Sequence, residues 1–331
     1  MAERPDPLAH AWPLLERLAD GRPHNGRMLG ESLGLTRAAI WKQIDQLRRA
    51  GLTVEADAAH GYTLPHPLEL LDADRIHAAL LPLTAAAVGE ISVLQTTPST
   101  NAWLRTRRPG PGGICLAEAQ TEGRGRRGRS WYSPLGAGLL LSMSWRYTDP
   151  PAAIGSLSLA VGLGCVAALE QCGIAGVGLK WPNDLVHGDA KLGGILIEMQ
   201  GEANGPIDLV IGIGINHRLP VGTEAQRPDR DVVDLASLCA GAPPGRNDLA
   251  AVLADQLVST LVRFQTEGFQ GFAQAYTQAD ALAGKRLRVE ADGSETVGSH
   301  AGVAGDGALL LQTESGVQRI YAGEVSVRAT T

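Results

Sequence analysis

Between two strand-like runs, Ile114 to Ala119 and Leu139 to Trp145, the chain carries Gly123-Arg124-Gly125-Arg126-Arg127-Gly128-Arg129. Regular structure tolerates that composition poorly, because glycines cost backbone entropy and neighbouring cations repel. Residues Gln120 to Trp131 are therefore predicted to be a long loop between strands rather than an element of their own. Glycines let backbone N–H groups turn toward an anion at close range, and guanidinium groups fork onto phosphate oxygens. The same composition suits a solvated charge patch or a nucleic-acid contact of the arginine-glycine kind. It is not a P-loop, since no Lys-Ser/Thr follows, and no helix opens where a Rossmann glycine loop needs one. Without ligand the loop is expected to be mobile, with Trp131 at its end able to close over whatever it holds.

The 331 residues suggest two or three domains, and a hydrophobic fraction of 44% allows a sizeable core. A formal net charge of −6 gives no global pull toward nucleic acid or membrane, so any DNA contact must come from a local patch. Cys115, Cys165, Cys172 and Cys239 are scattered in apolar settings and read as core residues of a reducing compartment. The N-terminal residues have no apolar signal core, and residues 154–169, though apolar, are short and glycine-interrupted, which favours a buried helix over a membrane span. A soluble, cytoplasmic protein is expected.

The first ~65 residues read as one unit. Leu8, Leu14, Leu15 and Leu18 give an apolar stripe on a first helix, and Gly26 to Leu33 a short second helix closed by Gly34. Thr36 is the predicted N-cap of a third helix that runs to Ala50 and stops at Gly51. Ile40, Ile44 and Leu47 share its inner face; Arg37, Ala38, Trp41, Lys42 and Asp45 share the other. Leu52 to Glu55 and Gly61 to Leu64 complete a hairpin. This is the order of a winged helix-turn-helix, which places its third helix in a major groove or else serves as a packing module without DNA.

A linker and short helix over Leu68 to Leu81 precede a strand, Ile91 to Thr96. Ser99 or Thr100 can cap the helix through Trp103 and Leu104; with Asn101 they also form a hydroxyl–hydroxyl–amide trio able to hold a small polar group. A helix from Pro150-Pro151 to about Cys172 leads to Lys180-Trp181-Pro182-Asn183-Asp184, with Lys180 at a strand end and Asn183 and Asp184 in a turn. Lys191 is expected in a turn feeding Gly193-Gly194 and a buried strand. Gly212 and Gly214 alternate with isoleucines before Asn216, so a ligand or another backbone must approach closely, or the strands pack tightly there. A Pro/Gly-rich connection over Arg218 to Gly245 has a short helix near Leu235, an amphipathic helix spans Leu249 to Phe264, and helix signal continues to about Ala281. Five short strands from Arg286 to Arg328 with Asp-Gly and Ser-Gly turns predict a small β-barrel of SH3-like size.

Taken in order, six stretches resemble the bifunctional biotin–protein ligases of bacteria, the biotin operon repressor type. They are Thr36 to Lys42, Ser99-Thr100-Asn101, Gly123 to Gly128, Lys180 to Asp184, Lys191 to Leu196 with Gly212 to Asn216, and Gly323 to Arg328. The resemblance covers nearly the whole chain. It implies a multidomain α+β protein: a winged helix-turn-helix DNA-binding domain over 1–66, a mixed-sheet α/β ligase domain over 67–282, and an SH3-like barrel over 283–331.

The implied activity has two steps. Biotin and Mg-ATP give biotinoyl-5′-AMP and pyrophosphate; a lysine of the biotin carboxyl carrier protein of acetyl-CoA carboxylase then takes the biotin and releases AMP. By resemblance Lys191, Arg126 and Asp184 carry the chemistry. Asp184 orients the incoming lysine or its proton, or assists the metal; no metal-ligand set is assigned to protein side chains. Ser99, Thr100, Asn101 and Gln120 bond the ureido ring. Gly123, Arg124, Gly125, Arg126 and Lys191 hold the carboxylate end, and Gly194, Leu196 and Gly212 wall the bicycle. Arg126, Arg129, Trp131, Lys191, Asn216 and Arg328 face the nucleotide, Trp131 covering the adenine after loop closure. Thr36, Arg37, Ala38, Trp41 and Lys42 face operator DNA, and a homodimer forms through sheet edges on adenylate binding. Two other readings stay open: a biotin-sensing DNA-binding repressor without ligase activity, which could dispense with Lys191, Arg126 or Asp184, and a lipoyl or octanoyl ligase, against which the arginine loop and Ser99-Thr100-Asn101 argue.

Overall fold

The computed structural model describes residues 6–108, 110–151, 153–201, 205–223, 231–291, 294–321 and 325–330. Its first unit packs α1 (Trp12–Leu18), α2 (Gly26–Leu33) and α3 (Arg37–Arg49) around Leu14, Leu15, Leu18, Ile40, Ile44 and Leu47. Asn25 caps α2 through its side chain, Gly34 ends it at φ 66°, and the Thr36 hydroxyl accepts from Ala39 N to open α3. The hairpin β1 (Glu55–Asp57) and β2 (Gly61–Thr63) starts three residues later than the pattern at Leu52 predicts. Leu52 N still bonds Leu47 O, and Val54 O accepts two N–H groups of Arg48 at 2.6 and 3.0 Å, so helix α3 holds this stretch instead of the sheet.

Two short helices follow, α4 (Ala73–Ala79) and α5 (Pro82–Ala87), then the central sheet. Its strands are β3 (Ile91–Thr97), β4 (Ile114–Gln120), β5 (Gly138–Tyr147), β6 (Val177–Lys180), β7 (Asp184–His187), β8 (Ala190–Gly201) and β9 (Ile207–Asn216). They lie in the order β3-β4-β5-β9-β8-β7-β6, and only β3 with β4 is parallel. α6 (Thr100–Arg107) joins β3 to β4, and α7 (Leu157–Gln171) joins β5 to β6. α8 (Leu235–Leu238), α9 (Arg246–Glu267) and α10 (Ala273–Ala279) follow the sheet.

Strand periodicity divides the two faces. Leu139, Leu141 and Met143 on β5, Ile195 on β8, and Ile211, Ile213 and Ile215 on β9 join the buried core with α7 and α9. The alternate positions, Ser142, Gly194, Leu196, Glu198, Gly212 and Gly214, face the other way, toward α6 and the arginine loop. Residues 154–171 are long and apolar enough to cross a membrane by length and composition, yet 61% of them is buried, and Leu157, Ala160, Val161, Cys165 and Leu169 belong to this core. The start of α7 is Leu157 rather than Pro150; a single 3-10 turn over Ile154–Ser156 leads into it.

The C-terminal unit is an antiparallel sheet of β10 (Arg286–Ala291), β11 (Ser294–Val303), β12 (Leu309–Thr313), β13 (Gly316–Ile320) and β14 (Val325–Thr330), in the order β13-β12-β11-β10-β14. Leu287, Val289, Leu309, Leu311 and Val327 join the central core, and Trp181 Nε1 donates to Gly307 O at 3.1 Å. The first unit docks through Ala119 and Leu135, with Leu135 N bonding Ala50 O at 2.9 Å.

The connecting segment is clamped too. Arg246, 1% exposed, donates to Glu118 Oε2 at 2.6 Å, to Glu69 O at 2.9 Å and to Gly138 O at 3.0 Å. Glu118 Oε1 accepts from Leu71 N at 2.6 Å. That buried carboxylate is satisfied by both a guanidinium and a backbone N–H, as burial of a charge demands.

Candidate active site

The glycine-bearing side of β8 and β9, the start of α6, the arginine loop and the rim of β10 and β14 enclose a cavity of about 1090 Å³. Eight Lys and Arg residues line it against three Asp, although the whole chain is acidic. A concave lining with so large an excess of positive charge focuses field and favours an anion.

The arginine loop is a narrow hairpin closed at its base. Trp131 N bonds Gly123 O at 2.8 Å, Gly125 N bonds Arg129 O at 2.7 Å, and Arg126 to Gly128 make a 3-10 turn at the tip. Arg127 in that turn has φ 59°, a left-handed conformation that a residue with a Cβ adopts at a cost glycine does not bear. Trp131 does not hang at the loop's end. Its indole lies against β9, where a Cβ on Gly214 would meet the ring at 2.7 Å, and Lys191 Nζ stands 5.4 Å from the ring centre. The close approach predicted at the glycines is real, but side chains make it: Trp131 at Gly214, and Asn101 at Gly212, where a Cβ would lie 2.3 Å from Oδ1.

Lys191 and Asp184 meet at the centre, Nζ to Oδ1 2.5 Å. Neither sits in a turn, as the proline and the glycine pair suggested. Trp181-Pro182-Asn183 alone makes the turn: Lys180 pairs Asp184 across β6 and β7, Asp184 pairs Gly194 on β8, and Lys191 pairs Val186. The strand ladder thus sets the lysine–carboxylate pair. The Lys191 backbone is held from its other side by Asp231 O and Val233 N, at 2.9 and 3.0 Å. Arg126 reaches the same area, with Nη1 3.4 Å from Asn183 Oδ1. Burial pulls the Arg126 guanidinium below its usual range, and the nearby Asp184 charge opposes that shift.

At the other end, Thr100 N donates to Gln120 Oε1 at 2.8 Å, with Thr100 Oγ1 3.1 Å from the same atom. Ser142 Oγ lies 2.7 Å from Thr100 Oγ1 and 2.6 Å from Asn101 Oδ1. Asn101 Nδ2 donates to Leu196 O at 3.3 Å and Glu198 Oε2 at 2.9 Å. Ser99 caps α6, its hydroxyl accepting from Ala102 N at 3.5 Å, while also lining the cavity. The side chains lining this end are neutral hydrogen-bonding groups, with the Glu198 carboxylate behind Asn101; the other end carries the Lys191 and Arg126 cations and reaches β10. A ligand with a hydrogen-bonding head and an anionic tail fits that polarity.

Ser99, Thr100, Asn101, Gln120, Arg124, Gly125, Arg126, Arg129, Trp131, Asp184, Lys191, Gly194, Leu196, Gly212 and Asn216 all line this one cavity. Gly123 lies just behind it: a Cβ there would strike Trp131 O at 2.5 Å. Asn216 spends its amide N–H groups on Lys191 O and Val233 O, so it braces the segment over Lys191. Arg328 pairs Arg288 in the β10–β14 ladder, and its neighbours Val327 and Ala329 reach the cavity; its side chain and Glu324 lie outside the described residues. Thr36, Arg37, Ala38, Trp41 and Lys42 sit apart on the exposed face of α3, with Trp41 61% exposed.

Comparison with known proteins then decides the family. Residues 91–216 match the Biotin/lipoate A/B protein ligase family, 14–63 an HTH domain, and 283–328 the biotin protein ligase C-terminal domain. The bifunctional ligase/repressor BirA of Salmonella typhimurium is 39% identical over 96% of this chain and 97% of its own. The chain belongs to the bifunctional biotin–protein ligase/repressor family. The biotin–[acetyl-CoA-carboxylase] ligase of Mycobacterium tuberculosis is 35% identical, covering 71% of this chain and 88% of that protein. Among solved structures, the biotin protein ligase of Aquifex aeolicus in complex with biotin and ATP is 26% identical at a TM-score of 0.64, covering 73% of this chain and 99% of that one.

For a ligase of this family, three residues of the site escaped the sequence reading: Ser142, Asn183 and Glu198. Ser142 carries a visible signal, a lone hydroxyl inside Leu139-Leu140-Leu141-Ser142-Met143, and it is fully buried. Asn183 stands in a quoted motif; its Nδ2 ties Ile195 O at 2.7 Å while Oδ1 faces Arg126. Glu198 follows an apolar run and reads as the point where β8 emerges into solvent, so nothing local marks its reach to Asn101.

Proposed function

We propose that this chain is an ATP-dependent biotin–protein ligase that also represses transcription in response to biotin. The observation that carries the ligase reading is one cavity with a hydrogen-bonding end at Thr100, Gln120 and Ser142 and a cationic end at Arg126 and Lys191. Biotin fits it with its ureido ring at the hydrogen-bonding end and its carboxylate at Lys191. Mg-ATP enters over β10 and the arginine loop, with Trp131, Arg129, Asn216 and Arg328 on the nucleotide side.

In the first step a carboxylate oxygen attacks the α-phosphorus, the bond to the β-phosphate oxygen breaks, and pyrophosphate leaves. Two anions must be held together, so fixed cations at the point of attack lower the barrier. Lys191 and Arg126 supply them. Asp184 aligns the Lys191 ammonium before the anions arrive. In the second step a carrier lysine nitrogen attacks the acyl carbon of biotinoyl-5′-AMP, the acyl–oxygen bond breaks, and AMP leaves with the electron pair. The amine must shed a proton, and Asp184, at the cationic end, is the carboxylate placed to take it. The carrier is a biotin carboxyl carrier protein, and the cytoplasm is where ATP and that acceptor meet. Pyrophosphate release on adding biotin and Mg-ATP tests the first step; release that is independent of biotin contradicts it.

Repression is supported by α3. Arg37, Ala38, Trp41 and Lys42 are exposed on one face, and Asp45 is neutralised by Arg49 at 2.5 Å, so the face presents net positive charge to a phosphate backbone. A dimer on adenylate binding is supported by β8: among the described residues β7 pairs only its first half, so in strand pairing 196–201 have β9 alone. Sedimentation with and without adenylate tests the dimer, and an electrophoretic shift on operator fragments tests repression.

A further inference from the structure

The ureido end depends on a carboxylate that lies outside the ligand-contacting set. Asn101 is 4% exposed, and its two N–H groups have two acceptors, Leu196 O at 3.3 Å and Glu198 Oε2 at 2.9 Å. Both partners only accept, so chemistry alone fixes which way the amide faces. With nitrogen turned to β8, Oδ1 must face Ser142 Oγ at 2.6 Å and the bare Gly212 backbone. The Ser142 proton is then spent on Oδ1, so across their 2.7 Å contact the Thr100 hydroxyl donates to Ser142 Oγ, while Gln120 Oε1 keeps the Thr100 backbone N–H at 2.8 Å. The hydrogen-bond direction along Glu198, Asn101, Ser142 and the Thr100 hydroxyl is therefore set from the Glu198 end.

Glu198 is itself held. Its other oxygen, Oε1, accepts from Arg105 Nη1 at 2.7 Å, which anchors the carboxylate between α6 and β8. Without it the Asn101 amide can rotate by half a turn, present N–H to Ser142, and reverse the donor–acceptor pattern offered to a ligand.

We propose that Glu198 is a positioning residue for the biotin-recognition end of the cavity, acting through Asn101 to fix the hydrogen-bond polarity that a cyclic urea reads. This rests on the ligase reading above. A cyclic urea needs donors at its oxygen and acceptors at its two N–H groups; a fatty acyl tail needs neither. Glu198 therefore governs selection of the ureido head and leaves nucleotide binding alone.

The test is calorimetric titration of biotin into the full-length wild type, E198A, E198Q, N101A and the E198A/N101A double variant, with KM for ATP measured beside it. Loss of a charge-assisted hydrogen bond predicts biotin binding about 10- to 100-fold weaker in E198A. KM for ATP stays unchanged, E198Q recovers most of the loss because its amide oxygen still accepts from Asn101, and the double variant binds no more weakly than N101A. Where E198A lowers the melting temperature, E198M, which keeps the side-chain volume, is read in its place. E198A binding like wild type, E198Q as weak as E198A, loss of ATP and biotin together, or additive loss in the double variant overturns the proposal. Wild type that binds no biotin at all overturns the ligase reading, and this inference with it.

Discussion

Lys191 Nζ lies 2.5 Å from Asp184 Oδ1, and the two residues are borne by adjacent antiparallel strands, so the pair is set by β-ladder register rather than by a flexible turn. A cation carried on a strand keeps its place when ligands are absent. Lys191→Ala is expected to lower adenylate formation by about 100- to 1000-fold, the effect of removing one preorganised charge from a transition state. The fold should persist, because the side chain belongs to no buried cluster. Asp184→Asn is expected to slow transfer to the carrier more than adenylate formation. Single-turnover pyrophosphate release and carrier labelling, measured separately, check both.

Gly214 and Trp131 give a second prediction. A methyl at Gly214 would meet three indole atoms at 2.7 to 2.9 Å. Gly214→Ala must therefore push the ring off β9 and into the cavity. Overpacking of this kind costs about 1–3 kcal/mol. The expected result is a lower melting temperature, altered tryptophan emission and a raised KM for ATP; unchanged emission and KM contradict the packing.

The Glu118–Arg246 pair holds the segment between the first unit and the sheet, and both side chains are 1% exposed. Removing one partner strands the other charge, at a cost of about 3–5 kcal/mol. Arg246→Met alone should show that loss in urea denaturation. Arg246→Met combined with Glu118→Leu should recover much of it, since the stranded charge goes too, although Leu71 N then loses its acceptor.

Several of these relationships could not be seen along the chain. Local signals carried far: Gly34 closes α2, and Thr36 caps α3 as its side chain dictates. The alternation of glycine and isoleucine from Ile211 to Ile215 marked a close approach on β9 without saying what approaches, which is Asn101 and Trp131, and Lys180 to Asp184 pointed to the site. Signals failed where a distant partner decides. Asp184 follows a proline and looks like a turn residue until Gly194 pairs with it. The single short helix expected by Leu81 is followed by a second, α5, which Pro82 begins as a residue with no N–H to lose. Glu198, Ser142 and Arg246 act across 41 to 128 residues of chain, a separation at which sequence periodicity is silent.

His217 makes stability depend on pH. Its Nε2 lies 2.8 Å from Pro244 O, a bond the neutral ring donates, and burial lowers its folded-state pKa below the ordinary 6.5 of a free imidazole, with the bond to Pro244 opposing. A lowered histidine pKa means the unfolded chain takes up the proton first. Stability from this site is thus full above pH 6.5 and falls as pH drops from there toward the lowered folded value. His217→Gln should flatten the melting temperature between pH 7 and about pH 5 relative to wild type; identical pH profiles contradict the assignment.

The most direct measurement is the intact mass of a biotin carboxyl carrier domain after incubation with this protein, biotin and Mg-ATP. The account predicts a gain of one biotinoyl group on a single lysine, dependent on ATP and absent with Lys191→Ala. A carrier of unchanged mass, with biotin bound tightly by the protein, contradicts it and leaves a biotin-sensing repressor.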